Sequence, residues 1–149
     1  MDDGSIVRVQ SSDSSQRFPH DLIHFIVESE LHLEWGFWGR VSKGAAFDSV
    51  TVVRPGRGRR PLRLSEQDIK RHNDEIVEAE ALVGTMDRVW TSGVALRPEA
   101  MQHEFGNTWH TGRGLPLSFE EARKVIDALT ATKAEWETVA TNQALTRSW

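Results

Sequence analysis

Over residues 18–38 the apolar positions are dense: Leu22, Ile23, Phe25, Ile26, Val27 and Leu33. At about 100° per residue they cover a broad arc of one helix, so most of that helix is expected to be buried. Pro19 suits its first turn, where a fixed φ fits and an N–H is not needed. Asp21 puts a carboxylate near the positive end of the dipole, and Gly36 is the expected stop. The remaining arc carries His20, Asp21, His24, Glu28 and His32. Four of these, His20, His24, Glu28 and His32, fall at every fourth position and form one ladder of neighbours.

A second periodic stretch follows a strong start signal. Ser65 to Asp68 resembles a capping box, and Leu64 and Ile69 stand where a hydrophobic staple needs them. The helix is expected to run over about 66–90 and to stop at Ser92-Gly93. Ile69, Ile76, Val83 and Trp90 recur every seven residues, with His72, Ala79 and Met86 between them, which is a coiled-coil-like seam. Ser118-Phe-Glu-Glu121 is a full capping box, and Phe119, Ala122, Ile126, Leu129, Trp136 and Ala140 continue a helical stripe to about 141. Shorter helices are expected over 41–47 and 98–105, with a tight aromatic turn at Gly36-Phe-Trp-Gly39.

Strand signals are few. Residues 49–54 are rich in β-branched side chains, and 5–10 are a weaker case. The Pro/Gly-punctuated segment that follows 54 is expected to turn the chain back, with 61–64 as a weak partner strand. The fold class is therefore mainly α (α+β). The expected core has three helices: two long ones, 66–90 and 118–141, packed antiparallel, with 18–33 across them, and a small β-hairpin beside them. All 149 residues are expected in one domain, with a mobile Ser-rich loop before 18 and a frayed tail over 142–149.

Composition narrows the chemistry. Charged residues at 27% and hydrophobic residues at 38% suit a soluble protein. No apolar run approaches the roughly 20 residues of a membrane span, and the acidic Met1-Asp2-Asp3-Gly4 start is unlike a secretory signal, so a cytoplasmic location is expected. A net charge of −4 disfavours general affinity for nucleic acid. With no cysteine, disulfides, thiolate metal sites and thiol catalysis are excluded, and a transition metal would need His and carboxylate ligands.

The His ladder can be read in two ways. It is a solvated polar face, as on most amphipathic helices. Alternatively, it is a site. Imidazoles one turn apart reach one divalent ion such as Zn or Fe, with a carboxylate as third ligand or base. His20, His24, Glu28 and, from the second helix, His72 are the candidate metal ligands. Asp21 is expected to orient one of these imidazoles. Without metal, His24 paired with Asp21 or Glu28 works as a general base near neutral pH. His32, His103, Glu104, Trp109 and His110 are further candidates on the same chemistry. Arg57, Arg59 and Arg60 suit an anion, though the loop lacks the interleaved aromatics of a nucleic-acid platform.

The run Pro19-His-Asp-Leu-Ile-His-Phe-Ile-Val-Glu28, then Gly36-Phe-Trp-Gly39 and Gly44-Ala-Ala-Phe47, resembles a family of small uncharacterised bacterial proteins, found mainly in actinobacteria. They carry a similar Pro-His-Asp-Leu-x-His-Phe-x-Val-Glu stretch before Gly-Phe-Trp-Gly. The resemblance implies a common fold over about 18–47 and implies no reaction. The reading carried forward is a metal-dependent or His/carboxylate acid–base enzyme acting on a small molecule or peptide. Its test is that His24→Ala and Glu28→Ala remove activity and spare the melting temperature. The alternative is a non-catalytic helical interaction module, including a homodimer built on the 69–90 seam, which Val83→Asp would dissociate.

Overall fold

The computed structural model describes residues 4–9, 18–45, 47–56, 66–93, 97–108, 117–140 and 143–149. Among the described residues, six helices and two strands follow one another as β1 (Ile6–Val9), α1 (His20–Glu30), α2 (Phe37–Ser42), β2 (Val50–Arg54), α3 (Glu66–Arg71), α4 (Asn73–Thr91), α5 (Pro98–Thr108) and α6 (Phe119–Trp136). The fold is mainly helical, with one antiparallel pair of strands.

Helix α1 is the centre of the packing and touches α2, α4 and α6. Its apolar arc supplies Ile23, Phe25, Ile26 and Val27 to the core. Val83, Met86 and Val89 come from α4, Met101 and Phe105 from α5, and Ala122, Val125, Ile126 and Leu129 from α6. The lower half of the heptad seam is therefore covered by the chain's own helices. Val83 and Met86 are fully buried, whereas Ile69, at the other end, is 39% exposed. A homodimer interface running the whole seam does not fit this burial.

Local chemistry explains the boundaries. Ser118 caps α6: its hydroxyl accepts from the Glu121 N–H at 3.2 Å, and the Ser118 N–H donates to Glu121 Oε2 at 2.7 Å. The expected 66–90 helix is divided into α3 and α4 at His72, which serves as N-cap of α4. The following Asn73 and Asp74 favour a helix start over a helix interior. Helix α1 stops at Glu30 in a Schellman closure: the Leu33 N–H donates to the Glu28 carbonyl at 2.9 Å and the His32 N–H to the Ser29 carbonyl at 3.4 Å. His32 holds the left-handed position with φ 53°, where glycine is usual.

Strand β2 pairs antiparallel with β1, in the register Val7↔Val52, Arg8↔Thr51 and Val9↔Val50, with an irregularity between Ile6 and Val7. The segment 61–64, expected as its partner, lies outside the described residues. The 142–149 tail, expected to fray, has its described part against the body: the Trp149 ring meets Phe25 edge-on at 5.8 Å, and Arg147 pairs with Glu135.

Candidate functional site

The site is built where α1 meets the start of α2. The Gly36-Phe-Trp-Gly39 stretch, expected as a tight turn, opens a helix instead, and the helix expected over 41–47 begins earlier, at Phe37. A helix start leaves its first backbone N–H groups without partners. Here Glu28 of α1 supplies the acceptors. Its Oε1 accepts from the Phe37 N–H at 2.8 Å, and its Oε2 from the Trp38 N–H at 2.8 Å and the Gly39 N–H at 3.3 Å. Glu28 thus caps a helix that begins nine positions further along the chain, and its charge lies at the positive end of that helix.

The same carboxylate accepts from His24 Nδ1 at 2.9 Å. Glu28 is fully buried and His24 is 8% exposed. Three of the contacts of Glu28 are backbone N–H donors, the bonding of an acceptor-only carboxylate. Opposite such a carboxylate, the His24 tautomer that makes the 2.9 Å bond carries its hydrogen on Nδ1, which leaves Nε2 for chemistry. Nε2 lies 3.6 Å from Glu80 Oε2 of α4, and the other oxygen of Glu80 lies 3.4 Å from the Arg40 guanidinium. Arg40 also donates through Nε to the Gly36 carbonyl at 3.1 Å. The result is a line from a buried carboxylate, through an imidazole, to a half-exposed carboxylate held by an arginine. At the margin, Lys43 bonds Glu34 and holds its carboxyl below the usual range.

The structure brings together only part of the expected set. His20 neighbours His24, ring to ring at 4.8 Å, but is exposed. His72 stands elsewhere: it stacks on Trp35 at 3.6 Å and pairs through Nδ1 with Glu75 at 2.7 Å. Asp21 does not orient His24, since Glu28 holds that nitrogen; its backbone carbonyl accepts from the Trp38 indole at 2.9 Å. His32 is exposed at the helix end, and His103 and Glu104 belong to α5, with His103 at the surface. Trp109, His110, Arg57, Arg59 and Arg60 lie outside the described residues. Among the described residues no group of three or more His, Asp or Glu is placed to hold a metal ion.

The solvated reading of the ladder therefore fails for His24 and Glu28 and holds for His20 and His32. Glu80 and Arg40 are partners that sequence reasoning missed. Glu80 lies on the outward side of α4's heptad, where glutamate carries no signal of its own. Among the described residues no helix is long and apolar enough to cross a membrane. Comparison of the chain with protein-family models, with curated proteins and with solved structures gave no match.

Proposed function

We propose that this protein performs acid–base chemistry on a small molecule, with His24 as the proton-transferring group. The observation that carries this reading is the 2.9 Å bond from His24 Nδ1 to the fully buried Glu28. A fixed carboxylate on one nitrogen sets the tautomer, turns the other nitrogen into the base and stabilises the imidazolium once a proton arrives. Glu28 is then a positioning residue, because its oxygens are occupied by the backbone of α2 and by His24. Glu80, with a side chain about half exposed, stands where a proton would leave or a substrate would enter. The metal-dependent version has less support, since Glu28 has no oxygen to spare and His72 is engaged with Trp35 and Glu75.

The test pairs a spectroscopic and a kinetic readout. Nitrogen-15 NMR of neutral His24 is expected to show the hydrogen on Nδ1. Screens for proton-transfer and hydrolytic turnover, run on the native protein and on a folded His24→Gln variant, are expected to find an activity that falls about 10²–10⁴-fold in the variant. A hydrogen on Nε2, or turnover indifferent to His24→Gln, overturns the proposal.

The second reading, a non-catalytic interaction module, is carried by apolar side chains left at the surface: Ile6 at 44%, Val52 at 61% and Val53 at 53% on the strand pair, and Val77 at 54% on α4. Its homodimer form requires a dimer in solution, so a monomer at every concentration by light scattering removes it.

A further inference from the structure

Three side chains meet outside the Glu28 cap, and they are not held alike. His24 is fixed from behind by Glu28 at 2.9 Å. Arg40 of α2 is fixed from behind as well. Its Nε donates to the Gly36 carbonyl at 3.1 Å, its guanidinium carbon stands 5.2 Å from the centre of the Phe47 ring, and its side chain is 14% exposed. Glu80 of α4 is the loose member. Its Oε1 lies 3.4 Å from Arg40 Nη2 and its Oε2 lies 3.6 Å from His24 Nε2. Both distances exceed the roughly 2.7–2.9 Å of a tight charge-assisted bond. These are the two polar contacts of its carboxylate among the described residues, and its side chain is 49% exposed. Glu80 is also an imperfect occupant. With its hydrogen on Nδ1, His24 turns the acceptor Nε2 toward a second acceptor, the carboxylate oxygen, where a hydroxyl would donate.

We propose that Glu80 is the placeholder for a ligand's carboxylate: a small organic acid takes its position on Arg40, and Glu80 turns out into water. The observation that carries this is the carboxylate already seated there, the chain's own, with one oxygen toward each of two groups fixed from behind. A planar guanidinium matches a planar carboxylate, and one guanidinium balances one negative charge, which selects a monoanion over a phosphate dianion. Little is lost in the exchange. Arg40 keeps a carboxylate, Glu80 gains water, and a pair this exposed favours its own partner by at most about fivefold. The two oxygens of Glu80 stand on one carbon, so a carboxylate on Arg40 brings a substituent of the neighbouring carbon toward Nε2. Resting on the reading of His24 as the base, that substituent is a hydroxyl, and the ligand class is a small 2-hydroxy acid.

Titration of nitrogen-15-labelled protein with sodium glycolate, followed by NMR, tests it, with ethylene glycol, sodium acetate and inorganic phosphate as matched probes. Saturable binding of glycolate at millimolar concentration is expected, with the neutral glycol and phosphate clearly weaker. Glu80→Gln removes the competing charge and is expected to tighten glycolate about two- to fivefold. Arg40→Gln is expected to weaken it about tenfold or more. Opposite movements in the two variants are what a merely structural role for the Arg40–Glu80 pair does not produce. Absence of saturable binding, equal binding of ethylene glycol or phosphate, or glycolate no tighter in Glu80→Gln would overturn the proposal. Failure of the His24 reading shows separately: glycolate then binds no better than acetate in the native protein and in His24→Gln alike, while the effects of Arg40→Gln and Glu80→Gln persist and sustain the carboxylate seat.

Discussion

The carboxyl group of Glu28 fills the space in which a side chain on Gly36 would begin. The position needs glycine for close approach and not for backbone freedom, since Gly36 has φ −65° and ψ −177°, which any residue adopts. Gly36→Ala would push the carboxylate away from the N–H groups of Phe37, Trp38 and Gly39 and from His24 at once. A buried charge stripped of its donors is among the costliest defects a fold can carry. The expected loss is about 3 kcal/mol or more, read as a fall in the denaturant midpoint. A midpoint within error of the native protein would show that Glu28 has another place to go.

This relationship also reverses an expectation drawn from the sequence alone, that Glu28→Ala would spare the melting temperature. Glu28 was legible as a neighbour of His24, because four residues along a helix is a local rule. That both face inward was not, because the partners are backbone N–H groups of another helix, announced in the sequence only by Gly36 and Gly39. The Ser118–Glu121 cap was read correctly because both halves lie within one turn. The pairing of Val9 with Val50 lay beyond any local rule, since the two are joined only by the tertiary fold. Core stripes and the Ser118 cap are thus written in short-range spacing, whereas the site depends on a long-range cap that spacing does not encode.

His32 sits in the left-handed conformation at the closing turn of α1, with φ 53°. That conformation costs an L-residue about 1–2 kcal/mol relative to glycine, partly offset by the greater freedom of glycine in the unfolded chain. His32→Gly is therefore expected to stabilise the protein by about 0.5–1 kcal/mol, seen as a raised melting temperature. Because His32 is exposed and outside the Glu28 network, any activity that depends on His24 should be unchanged in the same variant. A lower melting temperature would assign the imidazole a contact of its own.

The α6 cap makes a contribution that depends on acidity. The Ser118 backbone N–H and hydroxyl hold the Glu121 carboxyl below its ordinary value of 4.5. A carboxyl lowered in the folded state stabilises it fully above the ordinary value and loses that effect as pH falls through the lowered one. Glu121→Gln is thus expected to lower stability near neutral pH and to converge on the native protein in acid below both values. Denaturation curves at a series of pH values check the sign, and a stability difference constant across the series would remove Glu121 from the acid response.

Val83 separates the two uses imagined for the heptad seam. If the seam joined two copies of the chain, Val83→Asp would yield a folded monomer. In the structure Val83 is fully buried, in one cluster with residues from α1, α5 and α6. A carboxylate there loses its water and gains no partner, a penalty of several kcal/mol that rivals the whole stability of a small domain. Val83→Asp is accordingly expected to lose its cooperative thermal transition. Val77→Asp, on the same helix but 54% exposed, is expected to melt within about 0.5 kcal/mol of the native protein. A folded, monomeric Val83→Asp would return the seam to the role of a subunit interface, since only a surface released by dissociation lets that carboxylate reach water.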